Sequence, residues 1–163
     1  MREGPCPVAD DCAPRVEPCT LQTLEDWIAL RHALWPEAPE QDHRSDVQAM
    51  LWEQKEAIAL LVRLPDGTVA GFAEAALRHD YVNGCSTSPV AFLEGIYVLP
   101  EHRRQGLARL LCRAVEDWAR HLGCREFASD VLLDNTASQT MHAALGFEET
   151  KRVVYYRKAL SPS

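Results

Sequence analysis

The chain has 163 residues, a hydrophobic fraction of 47% and a formal net charge of −7. That is the size and composition of one globular domain able to build its own core. No apolar run approaches the ~18 residues of a membrane-spanning helix, and an acidic chain is poorly suited to nonspecific nucleic-acid binding, which needs basic surface against phosphates. Met1 to Thr20 lacks an apolar core after a basic start, so no secretory signal is read and the expected location is the cytoplasm. Cysteines stand at positions 6, 12, 19, 85, 112 and 124, with no CxxC and no zinc-type Cys/His spacing. They are read as free thiols, and no metal is expected.

Residues 1–14, with three prolines and few large apolar groups, predict a mobile extension ahead of one domain at residues 15–160. Arg15 to Glu17 predicts a short strand. Thr20 or Thr23 caps a helix with Leu24, Trp27, Ile28, Leu34 and Trp35 at helical spacing, stopped by Pro36 and Pro39. Ser45 opens a short second helix through Trp52. Ala57 to Leu64 and Thr68 to Arg78 read as a hairpin around the turn Pro65-Asp66-Gly67. Val90 to Leu99 is a third apolar strand, interrupted by Glu94 and Gly95. Gln105 to Leu122 is a long amphipathic helix on which Cys112 packs. Arg125 to Val131 is a strand, Asn135 to Leu145 a helix ended by Gly146, and Phe147 and Val153 to Arg157 are closing strands. The order β-α-α-β-β-β-α-β-α-β-β is an α/β (α+β) domain, a mixed sheet of six to seven strands flanked by four helices.

The stretch Val98-Leu99-Pro100-Glu101-His102-Arg103-Arg104-Gln105-Gly106-Leu107-Ala108 carries chemistry. A strand ends in a tight loop that runs straight into a helix. Gly106 permits close backbone approach, Ala108 leaves room, and the exposed N–H groups with the helix dipole make an anion site rimmed by Arg103 and Arg104. Neither a nucleotide P-loop nor a G-x-G-x-x-G fingerprint is present. Without a ligand, the same residues would be a Gly-capped helix start.

The Arg-x-x-Gly-x-Ala pattern resembles the acetyl-CoA pyrophosphate loop of GNAT acetyltransferases. Asn135, Ser138, His142, Gly146 and Phe147 resemble a second motif of that family. Over residues 15–158 the similarity is closer. Leu34-Trp35-Pro36, Arg78 to Cys85, Phe92 to Gly95, Gly123 to Glu126, Ala128-Ser129-Asp130 and Leu145 to Thr150 resemble the aminoglycoside 6'-N-acetyltransferases of that family. The resemblance implies a single-domain GNAT fold, acetyl-CoA as co-substrate, an aminoglycoside as partner, a homodimer, and direct acetyl transfer that confers antibiotic resistance.

It further implies a donor site at Ile96, Tyr97, Val98, Arg103, Arg104, Gln105, Gly106, Leu107, Ala108, Asn135, Ser138 and His142. An N–H near Val98 or Leu99 would polarise the thioester carbonyl. Trp35, Tyr81, Glu94 and Asp130 are the acceptor residues, with Glu94, Asp130 and His142 as proton carriers. Glu94 also reads as a solvent-facing acid, Trp35 as core, Asp130 as a turn cap, Asn135 as an N-cap, and His142, where many relatives carry tyrosine, as a packing residue. Asp80, His79 and the acidic cluster Glu37, Glu40, Asp42 and Asp46 are weaker candidates, as are Tyr155 and Tyr156. Residues 1–102 hold 17 acidic and 7 basic side chains, and residues 103–163 hold 7 and 10. This split fits an anionic donor and a cationic acceptor, or solubility alone. A polyamine or peptide acetyltransferase, a non-catalytic acetyl-CoA-binding module and a drug-sequestering protein are the competing readings. Lys151 stands where the resemblance leads one to expect an acid.

Overall fold

The computed structural model describes residues 12–52 and 56–160. Most of the predicted N-terminal extension, with Cys6, lies outside the described residues. The elements are β1 (Arg15–Pro18), α1 (Leu24–Leu34), α2 (Glu40–Trp52), β2 (Ala57–Arg63), β3 (Val69–Arg78), β4 (Val90–Val98), α3 (Leu107–His121), β5 (Phe127–Ser129) and α4 (Thr136–Leu145). The strands lie in chain order in one sheet, β1 to β4 antiparallel and β5 parallel to β4.

Strand alternation sends neighbouring residues to opposite faces. Leu60 and Val62 join Leu93, Leu107, Leu111 and Val115 in the core beneath α3, while Leu61 joins Trp27, Ile28, Val47 and Phe72 beneath α1 and α2. α4 shares the α3 face: Leu145 and Phe147 pack on that core, and Arg109 donates to the Ala144 carbonyl at 2.8 Å. The predicted hairpin turn forms, with Gly67 at φ 89° and its N–H bonded to the Leu64 carbonyl at 2.9 Å.

Three expectations need correction. The sheet has five strands among the described residues, not six to seven. Phe147 and Val153 to Arg157 form no strand; Phe147 instead packs its ring 5.0 Å from that of Phe127. Tyr155 and Tyr156 are left 79% and 93% exposed, because a β-rich segment is a strand only where a neighbour supplies hydrogen bonds. α2 begins at Glu40, not Ser45: the Pro39 carbonyl accepts the first helical N–H groups from Asp42 and His43, and Glu40 and Asp42 suit the positive end of the helix.

Two irregularities position the site. Glu74 pairs with Gly95 and Ala75 with Leu93, so Glu94 is the extra residue of a bulge in β4. β5 pairs with Ala91, Phe92 and Leu93 and then stops, so the sheet forks beside Glu94 to Val98.

Candidate active site at the fork

On the donor side, the Leu99 N–H is bonded to the Ala70 carbonyl at 2.9 Å and is not free to polarise a ligand. Antiparallel alternation then turns the N–H and C=O of Val98 away from β3, into the fork. Arg103 donates from Nε to that carbonyl at 2.9 Å, and its guanidinium lies 5.4 Å from the Tyr97 ring. Arg103 therefore braces the edge, and the Val98 N–H is the donor left facing the cleft. Ile96 and Tyr97 pack into opposite cores, and by the same alternation the backbone groups of Ile96 face the fork while those of Tyr97 face β3.

The loop curls through two left-handed residues, Arg104 at φ 59° and Gly106 at φ 82°, and Gly106 is the N-cap of α3. A Cβ built on Gly106 meets nothing within 4 Å, so the space over the helix start is open. Leu107 is only 2% exposed, so its side chain belongs to the core and only its N–H is at the helix start. Ala108 follows half-buried, and Gln105 reaches back toward the Glu101 carbonyl at 3.4 Å.

α4 closes this side. Asn135 Oδ1 accepts the Ser138 N–H at 3.1 Å, which makes it the N-cap. His142 sits one turn on, with Nδ1 2.8 Å from the Ser138 carbonyl and Nε2 3.0 Å from Ser129 Oγ. The Ser129 contact had no signature in the sequence.

On the acceptor side, Glu94 is held by Arg78, whose Nη2 lies 2.9 and 3.0 Å from its two oxygens and whose guanidinium stacks 3.7 Å over Phe92. Arg78, which opens the Arg78 to Cys85 stretch, was not among the candidate residues. Asp130 directly follows Ser129, the last residue paired across the fork, and is exposed. Trp35 lies over the bulge, so close that a Cβ on Gly95 would sit 2.5 Å from its Cη2. Beneath it, Arg31 stacks at 4.9 Å from the Trp35 ring and pairs with the buried Glu74. The cluster of acids is partly spent: Asp46 takes Arg31 at 2.8 Å, and Glu40 takes Arg44 at 3.3 Å. His79 faces Glu56 at 3.0 Å. Among the described residues no group of three or more His, Cys, Asp or Glu is placed to hold a metal.

The loop from Asp80 to Pro89 is fixed at two points. Lys151 donates to the Tyr81 hydroxyl at 2.8 Å, which lowers the phenol's pKa, and Gly84, at φ 84°, packs on Thr150, where a Cβ would clash. Glu126 accepts the Thr87 hydroxyl and the N–H groups of Ser86 and Thr87, and these donors hold its carboxyl below the usual carboxylate range. An acid whose pKa is lowered by folding gives its stabilisation above the ordinary carboxylate pKa and loses it as pH falls through the lowered value. Glu126→Ala is expected to raise the acceptor KM about 3- to 10-fold, the worth of one or two hydrogen bonds. Steady-state kinetics checks this; the KM for acetyl-CoA stays unchanged.

The acetyltransferase (GNAT) family model matches residues 27–147. An aminoglycoside N(6')-acetyltransferase type 1 from Salmonella enteritidis is 52% identical over 83% of this chain and 92% of its own. One from Serratia marcescens is 51% identical over 87% and 97%. Among solved structures, an aminoglycoside 6'-N-acetyltransferase from Acinetobacter baumannii superposes with a TM-score of 0.87 at 46% identity, covering 91% of this chain and 100% of its own. The AAC(6')-Iy enzyme bound to the bisubstrate analogue CoA-S-monomethyl-acetylneamine gives 0.86 at 46%, covering 90% and 99%.

Proposed function

The chain belongs to the GNAT acetyltransferase family, and we propose that it moves the acetyl group of acetyl-CoA directly to the 6'-amine of aminoglycosides. The observation that carries this is the fork beside β4, with the open, Gly106-capped start of α3 on one side and Glu94, Asp130 and Trp35 on the other. Acetyl-CoA lays its pantetheine arm along Ile96, Tyr97 and Val98, as an added strand would. Its pyrophosphate meets the N–H groups of residues 105–108, with Arg104 at the rim and Asn135 and Ser138 across the cleft.

The polycationic acceptor enters between Trp35, Tyr81, Glu94 and Asp130. Glu94 shares its carboxylate with Arg78, whereas the exposed Asp130 has no ion pair among the described residues and is the acid open to an ammonium. The ammonium loses one proton through water to Glu94 or Asp130, the free amine attacks, and the Val98 N–H steadies the oxyanion. Attack by the amine itself fits the thiols. Burial pushes Cys112 up to about 12 and raises Cys19, Cys85 and Cys124 as well, so none of these is a ready thiolate.

We take residues 15–160 as the catalytic domain, with resistance as its role and the cytoplasm, where acetyl-CoA is made, as its location. None of the described helices is long and apolar enough to cross a membrane. The exposed apolar run Val153, Val154, Tyr155 and Tyr156 favours a homodimer that covers it. The test is CoA release with kanamycin, tobramycin, a 6'-hydroxyl aminoglycoside, spermidine and a peptide amine. Turnover of the 6'-amino drugs alone is expected. Turnover of spermidine or peptide alone would overturn the substrate, and silence would leave a binding module.

A further inference from the structure

Ser129 ends β5 at the point where the sheet forks, paired with Leu93 one residue before Glu94. Its hydroxyl lies 3.0 Å from His142 Nε2. The other ring nitrogen, Nδ1, is 2.8 Å from the Ser138 main-chain carbonyl. A carbonyl only accepts, so in the neutral ring Nδ1 carries the hydrogen and Nε2 is bare; with the Leu93 and Asp130 carbonyls farther off at 3.3 and 3.4 Å, Nε2 is the nearest acceptor for the Ser129 hydroxyl. Phe147, with its ring centroid 5.1 Å away at 63°, presses on the imidazole and fixes its plane. Arg109 ties the last turn of α4 to α3, so the helix bearing His142 is itself anchored. An oriented imidazole with a hydroxyl on its free nitrogen, at the mouth of the cleft, is a built proton path rather than a packing contact.

We propose that Ser129 and His142 form a relay that carries the amine proton to the departing sulfur. The inference rests on the function proposed above. Attack by the neutral amine forms the C–N bond and leaves the nitrogen positive. Ser129 Oγ takes one proton from that nitrogen while its own hydrogen passes to His142 Nε2. The C–S bond then breaks and sulfur leaves with the electron pair. The proton returns from Nε2 through Ser129 to the sulfur, giving the CoA thiol. The amine has lost one proton, the thiolate has gained it, and both side chains end as they began. Ser129 is the catalytic residue that touches the reacting atoms; His142 acts through it.

Ser129→Ala, Ser129→Thr, His142→Gln and the double variant Ser129→Ala/His142→Gln test this by steady-state kinetics with a 6'-amino aminoglycoside. Ser129→Ala is expected to lower kcat about 10²-fold at unchanged KM for acetyl-CoA, the usual worth of a positioned proton carrier. Ser129→Thr, which keeps the hydroxyl, is expected to restore most of it. The double variant is expected to be no slower than the slower single, since residues that act as one unit are not additive. An unchanged kcat in Ser129→Ala, or additive losses, overturns the relay while the function stands. An unaltered enzyme that acetylates no 6'-amine overturns both. If Ser129→Ala does not fold, His142→Gln with unchanged kcat overturns the relay by itself.

Discussion

Gly106→Val is expected to weaken acetyl-CoA binding by about 10³-fold while the protein stays folded. Gly106 holds φ at 82° as the N-cap of α3, and Arg104, at φ 59°, turns the loop just before it. A β-branched residue in that backbone region is strained by about 1–2 kcal/mol, which at this chain length lowers Tm by only a few degrees. The new side chain touches no protein, since nothing lies within 4 Å of a Cβ there. It stands instead over the N–H groups that are to receive the pyrophosphate. Two lost charge-assisted hydrogen bonds at about 1.5–3 kcal/mol each account for 10²- to 10⁴-fold. Calorimetric titration with CoA and a thermal melt read the two effects separately. An unchanged Kd would remove the loop from the donor site, whatever the melt gives.

That loop was legible in the sequence because its chemistry is local: one glycine, one small residue and a helix start within six positions. β2 and β3 were legible for the same reason, as apolar runs around a Pro-Asp-Gly turn, and β4 as a third apolar run. The start of α2 was not, because Pro39 was taken as a stop to α1, while proline is equally at home at the first turn of the next helix. The closing strands failed differently. Val153 to Tyr156 has strand composition, but composition says nothing of a partner.

Within the site the instructive pair is Glu74 and Glu94. Each is a lone acid in an apolar strand, and sequence alone singled out only the second, through its resemblance. The bulge that makes Glu94 the extra residue of β4 leaves it half-exposed at the fork, while Glu74 turns inward. Their partners, Arg78 and Arg31, stand 16 and 43 residues away, beyond any local pattern. Ser129 is silent for the same reason: its meaning comes from a histidine on the following helix.

Glu74→Ala is expected to cost about 3–5 kcal/mol, because it leaves a buried guanidinium with only the exposed Asp46 as partner. Arg31 is 7% exposed and already has its Nε without a partner among the described residues. Glu74 Oε1 also takes the indole N–H of Trp27 at 2.6 Å, so the same change orphans a second buried donor. At about 2–4 °C per kcal/mol the midpoint should fall by roughly 6–20 °C. Asp46→Ala, which removes the exposed partner of the same arginine, should cost under about 1 kcal/mol.

Replacing both charges, as Arg31→Met with Glu74→Leu, should recover part of the midpoint, since a well-packed apolar pair often equals a buried ion pair while the Trp27 N–H stays unpaired. It should not recover the acceptor KM. Arg31 stacks against Trp35, and Trp35 covers the bulge at Gly95 beside Glu94. Losing the cation frees the indole that we propose as the acceptor wall. A double variant with both midpoint and KM restored would mean that Phe72 and Gly95 hold Trp35 unaided and that the ion pair serves stability alone.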